Sequence, residues 1–117
     1  RQSNHTDPTL LSLLPLSSAA GLVVWKNGAW DAVEYSPDEL LVMVGSSLQG
    51  LSGGALTACL HSARTPSMYE TEDRSALVYF VSPDSAAVLD GGSASEGALR
   101  LTAGALQHQF FRERFAW

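Results

Sequence analysis

The chain has 117 residues, room for one small domain and not two. Its 45% hydrophobic content supplies a core and excludes intrinsic disorder. Twelve acidic against seven basic residues give a net charge of −5, which repels a nucleic-acid backbone, and with Lys26 as the only lysine there is no polybasic membrane anchor.

Arg1 to His5 contains no apolar stretch of the signal-peptide kind. No initiator methionine precedes it, which suggests a fragment or processed product of something longer. Thr9 to Leu14 is a short apolar run between Pro8 and Pro15. Gly21 to Trp25 reads as a strand that turns at Asn27-Gly28, a hairpin signal, into a second strand from Trp30 to Tyr35. Leu40 to Val44 reads as a buried strand. Gly45 to Gly54 holds four glycines and three serines and predicts a loop or distorted turn. Ala55 to His61 is a further strand candidate, Ser62 to Asp73 a loop, and Ser75 to Val81 the clearest strand. Asp90 to Glu96 reads as a linker. Leu99, Ala103, Leu106 and Phe110 recur at helical spacing and predict an amphipathic helix from Leu99 to Trp117, weakened by Gly104. No apolar run approaches the ~20 residues that span a bilayer. Six or seven short strands and one helix predict a mainly β sandwich or barrel. The division is a β core over residues 1–90, with a linker and helix over residues 91–117.

His5-Thr6-Asp7 is the most informative motif. Residues two apart in an extended strand share a face, so the imidazole and the carboxylate can converge on one ion. His61 offers a second imidazole from another predicted strand. Two histidines and one carboxylate form the facial triad of non-haem Fe(II) oxygenases, which leaves coordination positions open. Taken alone the motif is common. Cys59 shares a predicted face with His61; it is either near the ion or, the plainer reading, a small core residue. Being a single cysteine, it forms no internal disulfide and is compatible with a reducing, cytoplasmic location. His108 falls on the polar side of the predicted helix and reads as a solvated residue.

The run from His5 to Leu14 resembles the segment that opens the metal-binding half of the 2-oxoglutarate/Fe(II)-dependent dioxygenases, and more narrowly their isopenicillin N synthase-like branch. The likeness continues in order through Gly21-Leu22-Val23-Val24 with Gly28-Ala29-Trp30, then Leu40 to Gly45 with Leu48 to Gly54. It goes on through His61 and the strand Arg74 to Pro83, and ends with Phe110 to Phe115. The resemblance implies a double-stranded β-helix, or jelly-roll, with a C-terminal helix. In it His5, Asp7 and His61 hold Fe(II), and Arg74 pairs with the distal carboxylate of 2-oxoglutarate. A guanidinium fork suits that task because it makes two parallel charge-assisted bonds.

The chain also departs from the family pattern. Ala76 stands where the family places a serine that touches the same carboxylate, and the neighbouring Ser75 reaches it only if the strand bulges. Ser62 replaces the arginine usual after the distal histidine, Ser46 replaces an aspartate, and Arg64 is either a second cationic contact or a loop residue. Family members are much longer, and their first barrel strand and helical part precede the His-x-Asp motif. The barrel's completion therefore falls to a missing N-terminal segment, a partner chain or a homodimer.

The reading that follows is a dioxygenase domain. It uses Fe(II), 2-oxoglutarate and O2 to hydroxylate or desaturate a small organic substrate with release of succinate and CO2, without nucleic-acid or membrane partners. The alternatives are a non-catalytic jelly-roll binding or scaffold module, favoured by Ala76, and a same-fold Fe(II) oxidase that does not use 2-oxoglutarate. Phe110, Phe111, Phe115 and Trp117 either wall the substrate site or pack the helix on the barrel.

Overall fold

The computed structural model describes residues 2–15, 17–18, 20–64, 74–90 and 100–114. Among the described residues, seven short strands come in the order β1 (Gln2–His5), β2 (Leu11–Leu14), β3 (Leu22–Lys26), β4 (Ala29–Ala32), β5 (Leu41–Val44), β6 (His61–Ala63) and β7 (Tyr79–Val81). Helix α1 (Ser46–Leu51) follows β5, and helix α2 (Ala103–Arg114) is the last of the described elements. One sheet has the order β1-β6-β3-β4 and the other β5-β2-β7, with all pairs antiparallel. The chain crosses repeatedly from one sheet to the other, which is the jelly-roll path.

Period-two patterning builds the core. Along β2, Ser12 and Leu14 are buried while Leu11 and Leu13 are only half-buried. Leu14 and Met43 from one sheet meet Leu22 from the other, with Val33, Leu41, Cys59 and Val78 packed around them. The opposite face of the β5-β2-β7 sheet is also apolar, and Val42 and Tyr79, the two cross-strand partners of Leu13, are more than half exposed there.

The Asn27-Gly28 hairpin forms as the sequence predicts, with both residues at positive φ (52° and 82°), as a tight primed turn requires. Three expectations are corrected. Gly45 to Gly54 is not merely a loop, because residues 46–51 wind into α1; the Leu48–Leu51 spacing is helical, and the glycines that obscure it, Gly53 and Gly54, take positive φ beyond its end. Ala55 to His61 is not a strand. The Cys59 amide donates to Val44 in one sheet, while Leu60 accepts from Trp25 in the other, so this segment crosses between the sheets, and pairing begins only at His61. Ser75 to Val81 is a strand only from Tyr79, since the Ser75 carbonyl accepts the Ser18 amide and the Ser75 amide donates to the Ser18 hydroxyl.

Helix α2 begins where Thr102 caps it, its Oγ1 accepting from the Ala105 amide at 3.2 Å. Ala103, Leu106 and Phe110 lie on its more buried side, as their spacing predicts. The linker and both ends of the predicted helix, Leu99 and Phe115 to Trp117, lie outside the described residues. Among the described residues no helix is long and apolar enough to cross a membrane.

Candidate metal centre

His5 ends β1, and His61 begins β6 as its direct cross-strand partner, so both side chains leave the sheet on the same face. Their rings lie 4.2 Å apart between centroids. Asp7 reaches them from beyond the strand. β1 ends at His5, so Asp7 lies two residues beyond the ladder, and its carboxylate still meets both imidazoles. The segment that carries it is fastened to α1: the Ser46 amide donates to Asp7 O at 2.8 Å, and the Ser47 hydroxyl donates to Pro8 O at 3.1 Å. Thr6 Oγ1 and Ser46 Oγ are 2.8 Å apart, so the serine in the family's aspartate position still ties down this segment. Gly45 permits the approach, because a Cβ there would lie 2.1 Å from the Thr9 carbonyl oxygen.

The result is a buried cluster in which His5, Asp7 and His61 each offer one donor atom, all within 4.8 Å of one another. Both imidazole Nε2 atoms approach the same carboxylate oxygen, Asp7 Oδ1, at 3.3 Å for His5 and 3.9 Å for His61. His61 Nδ1 lies 3.0 Å from the Cys59 carbonyl oxygen. A carbonyl only accepts, so Nδ1 carries the hydrogen, and Nε2, which approaches Asp7, is the nitrogen that would ligate in the neutral ring. Burial pushes the Asp7 carboxyl up, but hydrogen bonds from His5 and Ser12 and the positive charge of His61 and His5 offset this and hold it below the ordinary 3.8. Two imidazoles, which ligate in their neutral form, and an ionised carboxylate suit a divalent first-row metal, and these are the residue types of the facial triad in non-haem Fe(II) sites.

Arg74 is half-buried. Its Nη2 donates to Ser17 Oγ at 3.3 Å, and its Cδ flanks Gly21, which immediately precedes β3 and lies three residues before Val24, the strand partner of His61. Three residues of strand span about 10 Å. Ser75 and Ala76 are exposed. Arg64 lies with its guanidinium 4.7 Å from the centre of the Trp30 ring. Cys59 packs against the Leu14–Leu22–Met43 core, and burial, then the Asp7 charge, push its thiol up. His108 is exposed on α2, and Phe110 stands 6.0 Å from the His5 ring with Phe111 edge-on beside it.

Sequence reasoning missed Ser12. Its hydroxyl is fully buried and donates to Asp7 Oδ2 at 2.5 Å. The signal was present, since Ser12 interrupts an apolar run in phase with Leu14, and a polar side chain on a core-facing position needs a buried partner.

The 2OG-Fe(II) oxygenase superfamily model matches residues 1–83. Gibberellin 20 oxidase 1 of Oryza sativa subsp. japonica is 38% identical over 80 residues, covering 68% of this chain and 21% of that protein. The 2-oxoglutarate-dependent dioxygenase iboH of Amanita muscaria is 38% identical over 90 residues, covering 73% and 43%. The structure of JOX2 in complex with 2OG, Fe and JA superposes with a TM-score of 0.75 at 25% identity over 93% of this chain and 33% of that one. The chain thus spans less than half the length of each of these relatives.

Proposed function

The chain belongs to the 2OG-Fe(II) oxygenase superfamily, and from that membership we propose that it forms the metal-binding part of a 2-oxoglutarate-dependent dioxygenase acting on a small organic molecule. The convergence of two imidazoles and one carboxylate carries this reading. His5, Asp7 and His61 would hold Fe(II). When bound with 2-oxoglutarate, that ion supplies oxidation of the substrate by O2 coupled to formation of succinate and CO2.

The chain's own residues bind, orient and exclude water. His61 is held in the ligating tautomer by the Cys59 carbonyl. Arg74 flanks Gly21, whose backbone is about 10 Å by strand rise from Val24, the partner of His61, and this neighbourhood supports it as the cation for the far end of a five-carbon dicarboxylate. With Ala76 offering no hydroxyl, Arg74 and Ser75 are the groups proposed for the distal carboxylate, and Arg74 carries the charge. Burial of the three donors keeps bulk water from them.

Anaerobic titration tests this. Fe(II) followed by 2-oxoglutarate is expected to give a weak visible charge-transfer band. Arg74→Ala is expected to weaken 2-oxoglutarate binding about 30-fold, from ~2 kcal/mol for hydrogen bonds to a charged group, while leaving Fe(II) binding intact. A chain that binds Fe(II) but whose spectrum ignores 2-oxoglutarate would instead be an oxidase using another reductant, or a binding module.

A further inference from the structure

The two oxygens of Asp7 have different surroundings. Oδ1 faces both imidazole Nε2 atoms. Oδ2 accepts the Ser12 hydroxyl proton at 2.5 Å. Ser12 is fully buried on β2, directly across from Met43 and Phe80 on the flanking strands. Its Oγ also lies 3.3 Å from Thr9 Oγ1. Because the Ser12 proton is committed to Asp7, the hydroxyl of Thr9 is the donor in that second contact. A directed relay therefore runs from Thr9 to Ser12 to Asp7, all buried, and β2 fixes its middle member within the central strand of its sheet.

We propose that Ser12 is a positioning residue that keeps Asp7 a single-oxygen ligand. The inference rests on the ferrous-site reading above and concerns how many positions that site leaves open. Three protein donors leave three positions of an octahedron, enough for two oxygens of 2-oxoglutarate and one more ligand. A carboxylate chelating through both oxygens would take a fourth and leave two. By occupying Oδ2, the Ser12 hydroxyl prevents this and holds the carboxylate plane against the imidazoles. Such outer contacts are commonly worth 10- to 100-fold in metal affinity.

Co(II), whose d–d absorption reports coordination number, is the probe. Ser12→Thr and Ser12→Val are nearly equal in volume and differ in the hydroxyl, so the pair separates hydrogen bonding from packing; Ser12→Ala accompanies them. The Val and Ala chains are expected to bind Co(II) about tenfold or more weakly, with an altered d–d spectrum, while Thr restores both to the parent values. A Val chain with the parent's affinity and spectrum, or a Thr chain that behaves like Val, would overturn the role of Ser12 and leave the metal site standing. Should the Ala chain fail to fold, the Thr–Val comparison still decides. A parent chain that binds no Co(II) would overturn the metal site, and the role of Ser12 with it.

Discussion

Asp7→Ala is expected to lower Fe(II) affinity about a thousandfold and to abolish stabilisation of the chain by metal. The carboxylate is the cluster's anionic donor, and an imidazole ligates a metal only in its neutral form. Even at an effective dielectric near 20, a unit charge pair at 4 Å is worth ~4 kcal/mol, close to three powers of ten in binding. At Fe(II) concentrations a hundred times the parent's Kd, binding adds about 2.7 kcal/mol of stability. In a domain of this size that is a rise in Tm of roughly 10 °C. The variant is expected to show no rise. Its metal-free form loses ~1–3 kcal/mol as well, because the buried Ser12 hydroxyl is left without its acceptor. Anaerobic thermal melts of both chains with and without Fe(II) measure the two effects separately. A variant that keeps the metal-induced rise would remove Asp7 from the site.

The second large effect is expected at Gly21, immediately before β3. Its φ is +129°, a conformation that essentially only glycine adopts at low cost. A Cβ there would lie 2.1 Å from the Arg64 carbonyl oxygen, and the Gly21 carbonyl accepts the Arg64 amide at 2.8 Å. Gly21→Ala therefore adds backbone strain to a clash that backbone atoms cannot relieve by rotating a side chain. Roughly 1–3 kcal/mol from each source gives a loss near 4 kcal/mol, a large part of a typical domain's stability. Arg64 directly follows β6, so the displaced strand is the one that carries His61. Chemical denaturation is expected to show the lowered midpoint, and the folded fraction is expected to bind metal more weakly. A midpoint within experimental error of the parent would mean that the β3–β6 join is looser than the geometry indicates.

The β2, β3, β4 and β5 segments were legible because each announces itself locally, by an apolar run or by the Asn27-Gly28 turn. The motif His5-x-Asp7 with His61 was legible only through its likeness to a family, since spacing alone does not say that residues 56 apart become strand partners. Helix α1 was hidden because Gly50 and the serines Ser46 and Ser47 have low helix propensity; tertiary bonds from the α1 end to Pro8 and Asp7 hold it instead. Residues 55–60 looked like a strand because Leu56, Ala58 and Leu60 alternate. Their backbone bonds go to different sheets, which no local pattern encodes. Arg74 was legible as a cation before an apolar strand, whereas its neighbour Ser17 and its closeness to Gly21 are long-range facts. Ser12 was overlooked for the opposite reason. Its position was visible, but its partner Asp7 lies on a segment that long-range bonds from α1 hold in place.

X-ray absorption at the iron edge of the Fe(II)-loaded chain probes the proposed coordination most directly. The expected first shell is nitrogen and oxygen alone, with outer-shell scattering from two imidazoles. A single imidazole, or a sulfur neighbour contributed by Cys59, would contradict it.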